Sequence, residues 1–233
     1  YINTLRSDCL WSIISLFSFV GIAIGVATLI IVMSVMNGFK LELQDRIIGF
    51  NGHLYINKLG ENIDNFAINE NEFANIKFVD PNITFQSLMI SSNKNNGVLV
   101  KSIDPKNLKN YDRIYKILNT NMLDPLSGNS IILVDMLSLK LGLTIGSKIK
   151  LYSTQTIMTP FGSLPKSKEF EISGTFHSGM SEYDNNFTLI SLENGQDLTN
   201  SLDQVSIIKI HLKNPNKIDE TKLLLTKYYP NRE

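Results

Sequence analysis

The residues whose types could do chemistry are three histidines, His53, His177 and His211, and one short cluster in which His177 and Ser178 stand near Glu182 and Asp184. Serine, histidine and carboxylate together suggest acyl transfer. A hydrolytic serine, however, needs a strained turn such as G-x-S-x-G to raise its hydroxyl, and no such elbow surrounds Ser178. The histidines lie alone in separate segments, with no cysteine or carboxylate at a metal-ligand spacing. Gly142-Leu143-Thr144-Ile145-Gly146-Ser147-Lys148 resembles a phosphate-binding loop, but it is one residue short and places Lys after Ser, so it reads as a turn. The expectation is a chain that is not an enzyme and that holds no cofactor and no metal.

A different chemistry, that of docking, is written in Thr154–Ser167, TQTIMTPFGSLPKS, which lies between two segments that should pair as strands. Most hairpin loops have about 2–5 residues, so a connection of this length is functional or disordered. Ile157, Met158, Phe161 and Leu164 are apolar, which argues against disorder, and Pro160 and Pro165 each fix φ and withhold a backbone donor. A stiff loop that holds up apolar side chains suits a protein partner. The alternative is that these side chains tuck onto their own domain.

What must carry this loop begins with Cys9–Phe39, a run with no charged side chain. About 20 apolar residues span the ~30 Å hydrocarbon core of a bilayer, and this run exceeds that. It is too long for a signal-peptide core, and no A-x-A-like site follows it. A transmembrane helix is expected. Arg6 precedes the span and Lys40 and Arg46 follow it, a charge balance too slight to fix orientation. Within the run, Gly21 and Gly25 form a small-xxx-small pair that would let another backbone approach closely. Phe39, Leu43, Ile47 and Phe50 continue at helical spacing, which extends the helix as a stalk until Gly49 and Gly52 stop it. Net charge is zero, with 22 basic and 22 acidic residues and no basic block, so a nucleic-acid footprint is absent. Cys9 is the one cysteine, so no disulfide forms within the chain.

After the anchor, the pattern predicts a strand at His53–Asn57, a helix around Asn69–Phe78 and strands near Ile83–Ser91 and Val98–Ile103 joined by a turn at Asn93–Gly97. Asp104-Pro105 breaks the latter strand and opens an irregular or helical stretch to Leu118. Strands follow at Ser130–Val134, Lys148–Ser153, Glu169–Phe176, Phe187–Ser191 and Val205–Leu212, with a helix capped by Asp135, one from Leu192 and one at Ile218–Tyr229. The fold class is α+β: one N-terminal transmembrane helix, then a mixed domain with an inserted, mostly β subdomain. The expected divisions are 1–50 for helix and stalk, 51–118 for the first half of the exported domain, 119–202 for the inserted subdomain and 203–233 for the second half. The chain starts at Tyr1 and ends without a second hydrophobic run, and is expected to be a segment of a longer protein.

Ser34-Val35-Met36-Asn37-Gly38-Phe39, followed by Glu42-Leu43 and Arg46-Ile47-Ile48-Gly49, resembles the first helix of the LolC/LolE-type lipoprotein-releasing permeases. The resemblance takes in Gly21–Val26 and resumes at Ser130–Gly146. It continues through Thr159-Pro160-Phe161-Gly162-Ser163-Leu164-Pro165 to Gly174-Thr175-Phe176 and Ser181-Glu182-Tyr183-Asp184. Residues 57–100 match only in pattern.

The resemblance implies a four-helix permease of the bacterial inner membrane whose large periplasmic domain lies between its first two helices. It implies as partners a LolD-like ABC ATPase, a second permease subunit, a lipoprotein substrate and the periplasmic carrier LolA. It places a carrier-binding hook at Met158, Thr159, Pro160, Phe161, Gly162, Ser163, Leu164 and Pro165. It also gives the Gly21, Gly25, Val32 and Met36 face a role in packing and in lining the cavity for acyl chains. The three later helices and most of the family's basic N-terminal segment are missing from this sequence. Alternatives are a MacB-like efflux permease, an FtsX-like regulator of cell-wall hydrolases, and a single-pass sensor with an exported ligand-binding domain.

Overall fold

The computed structural model describes residues 2–62, 73–91, 94–160, 162–179, 181–201 and 204–228. Two compact units divide between Ile47 and Ile48. The first is the body of helix α1, Ile2–Asn51, which passes through Gly49 and ends before Gly52, whose φ of +81° a side chain would resist. Its Ile14–Leu43 stretch is long and apolar enough to cross a membrane and is exposed throughout. Within it, the Thr28 hydroxyl donates to the Ile24 carbonyl at 2.8 Å, so this polar atom is satisfied inside its own helix. Side chains 44–50 of the expected stalk lie outside the described set.

The second unit is α+β. Its strands are β1 (Leu54–Asn62), β2 (Ile76–Ser91), β3 (Lys94–Ile103), β4 (Asn119–Thr120), β5 (Ser130–Val134), β6 (Lys148–Thr159), β7 (Gly162–Phe176), β8 (Phe187–Ser191) and β9 (Gln204–Leu212). Its helices are α2 (Asp112–Ile117), α3 (Asp135–Leu141), α4 (Ser181–Asp184), α5 (Leu192–Thr199) and α6 (Ile218–Tyr228). The expected helix at Asn69–Phe78 is corrected: residues 69–72 lie outside the described set, and Ile76, Lys77 and Phe78 alternate buried, exposed, buried as the start of β2. Asp135 is not the cap of α3; Val134 occupies that position with no side-chain bond, and Asp135 opens the first turn.

β2 serves two sheets. Residues from Ile76 to Asn82 pair antiparallel with β9, which also pairs with β1. From Ile83 onward β2 pairs with β3, and at Ser87–Ile90 its other edge takes β6. Pro81 sits just before that change of partner, where its missing N–H breaks no ladder. Following the pairs β2–β3, β3–β8, β8–β5, β5–β7, β7–β6 and β6–β2 closes a six-stranded ring. Closure removes free edges. The ring takes β2 and β3 from ahead of residue 119, so the strands of 119–202 close only with their help.

One apolar cluster draws on all six ring strands, including Met89, Val100, Leu189, Leu133, Ile172 and Leu151. β5 and β8 are buried at every position, which is why β5 reads as an unbroken apolar run over Ile131–Val134, while in β8 even Thr188 and Ser191 are buried. A smaller cluster, with Ile76, Ile210, Leu212 and Leu225, joins the β1–β9–β2 sheet to α6. Helix α5 touches β2, β3, β6, β7 and β8. An element that meets five strands of a closed ring lies across its mouth. Gly195 permits this seat, since a Cβ there would come within 2.5 Å of Ser102 Cβ. Ser102 cannot retreat, because its hydroxyl accepts from Ile83 N and donates to Ile83 O, both at 3.0 Å.

Candidate functional site

The segment Thr154–Ser167 is not the long loop expected from its two prolines. β6 and β7 run through it as a hairpin, with Thr156 opposite Pro165, Met158 opposite Ser163 and Thr159 opposite Gly162, and with Pro160 at the turn. The prolines are tolerated for separate reasons. Pro160 takes a turn position that suits its fixed φ. Pro165 lies where β7 has no second neighbour, because β5 joins β7 only from Glu171 onward. Gly162, at φ +115°, completes the tight reversal in a region that a side chain would strain. Phe161 lies outside the described residues, as do the side chains of Ile157 and Thr159.

This ribbon extends past the ring, which β6 leaves after Ser153. Six residues at about 3.3 Å per residue carry its tip ~20 Å outward. Met158 is 90% exposed and Leu164 is 53% exposed. Met158 pairs across to Ser163, the neighbour of Leu164, so the two apolar side chains stand on opposite faces. Thr154, Gln155, Thr156, Pro160, Gly162, Ser163 and Pro165 are exposed too.

On α1, Gly21, Gly25, Val32 and Met36 fall within about 60° of arc at 100° per residue, so they share one face. Nothing lies within 4 Å of a Cβ built on Gly21 or Gly25, and Val32 and Met36 are exposed.

The family model for the MacB-like periplasmic core domain matches residues 15–228. The chain belongs to the MacB-like periplasmic core domain family. Among solved structures, the periplasmic region of MacB from Actinobacillus actinomycetemcomitans superposes with a TM-score of 0.51 at 10% identity, covering 76% of this chain and 83% of that one, a likeness of fold alone. Among curated relatives, the transmembrane protein LolC of the lipoprotein-releasing system from Xylella fastidiosa is 26% identical over 91% of this chain and 52% of its own length. LolC from Buchnera aphidicola of Acyrthosiphon pisum is 31% identical over 91% of this chain and 53% of its own. LolE from Haemophilus influenzae is 33% identical over 42% of this chain. The chain spans about half the length of the LolC relatives it matches.

The other sequence candidates of this MacB-like domain turn out to be structural. Gly142 ends α3 in the left-handed region, and the Gly146 N–H donates to Ile172 O at 2.8 Å, so the phosphate-loop look-alike spends its backbone donors on the fold. Asp184 is buried and accepts from the Ser178 and Gly179 N–H groups at 2.6 and 3.0 Å, with His177 Nδ1 at 3.5 Å. That carboxylate ties a turn. A cavity of about 510 Å³ beside the root of the ribbon is lined by Gln86, Leu88, Leu99, Thr154 and Asn186 among others, with no ionisable side chain among the described residues of its wall.

Two histidines do not stand alone, contrary to the sequence reading. β9 carries His211 beside His53, ring centroids 6.2 Å apart, and against Phe78, stacked at 4.1 Å. Around them lies a buried polar cluster that no sequence motif announced. The Tyr111 hydroxyl donates to Asp80, Lys101 Nζ reaches Tyr111 Oη at 3.1 Å, and Lys101 Nζ lies 4.0 Å from Asp80. Lys209 is the cross-strand partner of Asp80 and is buried as well. Burial, with Lys209 nearby, pushes the Lys101 ammonium down to about 7 against the pull of Asp80. Burial, then the charge of Lys101, pushes His211 down to about 3.

A base whose folded pKa is depressed destabilises the fold where the unfolded chain takes the proton first. For His211 that window runs from its ordinary 6.5 down to about 3, so stability falls as pH drops through it. Its Nε2 has no hydrogen-bond partner among the described residues, so His211→Phe forfeits no bond and keeps the stack on Phe78. Chemical denaturation is expected to show little change at pH 7 and a gain of about 2 kcal/mol over wild type at pH 5. Equal acid sensitivity in both proteins would contradict the assignment.

Proposed function

We propose that this chain is the N-terminal half of a Lol-type ABC permease of the bacterial inner membrane, a subunit that moves lipoproteins without catalysing a reaction itself. In this reading α1 spans the membrane and the MacB-like domain stands in the periplasm. A second permease and a LolD-like ATPase complete the complex. The cavity between first helices receives lipoprotein acyl chains against the face of Gly21, Gly25, Val32 and Met36. Closure of the ATPases expels the cargo upward. Each CH₂ moved into water costs about 0.8 kcal/mol, so a LolA-type carrier must already be docked at the exit.

The observation that carries the reading is the ribbon, with Met158 and Leu164 held clear of the domain on opposite faces. Apolar side chains on both faces suit insertion into a concave apolar receptor more than contact with a flat one. The turn sequence from Thr159 to Pro165 is where the LolC-type resemblance places its hook.

The test is purification of the full-length protein from native membranes, with a photo-crosslinking residue at Met158. An ABC-type ATPase and a second permease should co-purify, and the crosslinked species should be a lipoprotein carrier. Recovery of an efflux adaptor or a cell-wall hydrolase at Met158 would favour the MacB-like or FtsX-like alternative instead.

A further inference from the structure

The ribbon leaves the ring at an irregular point. Tyr152 faces Ser167 and Thr156 faces Pro165, so Ser153, Thr154 and Gln155 on β6 stand against Lys166 alone on β7. A bulge of this kind bends the strand that carries it, which makes it the place where the direction of the ribbon is decided. On the β6 side the bend is fixed internally. The buried Ser153 hydroxyl accepts from Gln155 N at 3.1 Å, and the Ser87 hydroxyl donates to Tyr152 O at 2.9 Å.

The β7 side is held from another element. Lys166 Nζ lies 2.9 Å from Asp197 Oδ1, and Lys168 Nζ donates to Asp197 Oδ2 at 2.8 Å. One carboxylate on α5 therefore holds two lysines that flank Ser167, one of them the lone residue facing the bulge. Both lysine side chains are about three-quarters covered, which lessens screening by solvent. Their hold pulls Asp197 below its ordinary carboxylate range.

The anchor is itself held at several points. α5 is capped by the Ser191 hydroxyl at one end and by Asn200 in the left-handed region at the other. Asn194 Nδ2 donates to Gly128 O at 2.7 Å, and Gly195 is wedged against Ser102. An isolated two-stranded ribbon is marginal in water and splays without support.

We infer that Asp197 is a positioning residue: from the cap of the barrel it grips Lys166 and Lys168 and sets the angle at which the ribbon is presented to its partner. This deepens the docking reading given above and rests on it for the identity of the partner. The brace itself belongs to the ribbon whoever binds there.

Asp197→Asn keeps the shape and removes the charge. The full-length protein in detergent micelles is compared with wild type by hydrogen exchange over residues 154–165 and by binding of purified LolA-type carrier. Exchange in that segment should rise about five-fold while the ring strands stay unchanged, and carrier affinity should fall about three- to ten-fold. The charge swap Asp197→Lys with Lys166→Glu and Lys168→Glu should restore both, an outcome that a merely space-filling role for Asp197 would not give. Unchanged exchange at 154–165 overturns the brace, whatever the carrier does. Raised exchange with unchanged affinity, in a protein whose carrier binding Met158→Asp does abolish, overturns the positioning role. Raised exchange with both variants inert toward the carrier upholds the brace and rejects the docking reading instead.

Discussion

Met158→Asp combined with Leu164→Asp is expected to abolish carrier capture by the full-length protein, weakening binding by at least about a hundred-fold and leaving the unfolding midpoint unmoved. Neither side chain contributes to the ring, because each is largely exposed on the ribbon. Surface changes of this kind stay within about 0.5 kcal/mol of wild type. At an interface the balance differs. Apolar anchors that a partner encloses carry about 2 kcal/mol or more each, and a carboxylate put in their place must be desolvated without a counter-charge. Two anchors on opposite faces bring both walls of a receiving cleft into play, so the losses combine. Surface-bound carrier titrated with the variant measures the effect, and wild-type affinity in the double variant would end the hook assignment. Met158→Ala, which shortens an anchor without inserting charge, should fall between the two.

The largest loss of stability is expected from Asp80→Asn. Asp80 is fully buried where β2 passes from one sheet to the other, and it is the acidic member of a group holding Lys101 and Lys209. Asparagine fills the same volume, so no cavity opens. What disappears is the negative charge that faces two buried ammonium groups and accepts the Tyr111 hydroxyl. Removing one partner from a buried ion pair costs about 3–5 kcal/mol, since the other charge stays behind. Lys101 loses its proton near pH 7 in the folded state, so the penalty should be smaller at pH 9 than at pH 6. Adding Lys101→Met to Asp80→Asn should recover part of it. Denaturant titrations at the two pH values give the comparison, and a loss below about 1 kcal/mol at pH 6 would mean that the cluster is not held as an ionic unit.

How much of this could be read from the sequence depended on whether the signal was local. The charge-free run became the body of α1. The helix from Leu192 and the break at Asp104-Pro105 rest on signals within a few residues, and both are present, whereas the cap expected at Asp135 is not. β5 announced itself by the unbroken apolar run Ile131–Val134. The segment at Ile76–Phe78 failed because three residues can satisfy a helical or an alternating pattern equally well, and pairing with β9 decided for the strand. By local rules Pro160 and Pro165 are barriers to pairing. They are not, since one sits in the turn and the other on an outer edge, and no local rule distinguishes an outer edge from an inner one. Ring closure depends on β2 meeting β6 more than fifty residues away, which no window on the chain can see. The same distance hid the meeting of His53 with His211, and of Asp80 with Lys209.

β2 itself has a mechanical consequence. Because one unbroken backbone belongs to both sheets, tension applied to the three-stranded layer runs straight into the barrel wall along covalent bonds. No yielding seam of side chains intervenes. A pull on either layer would have to shear several ladders at once before the two could part.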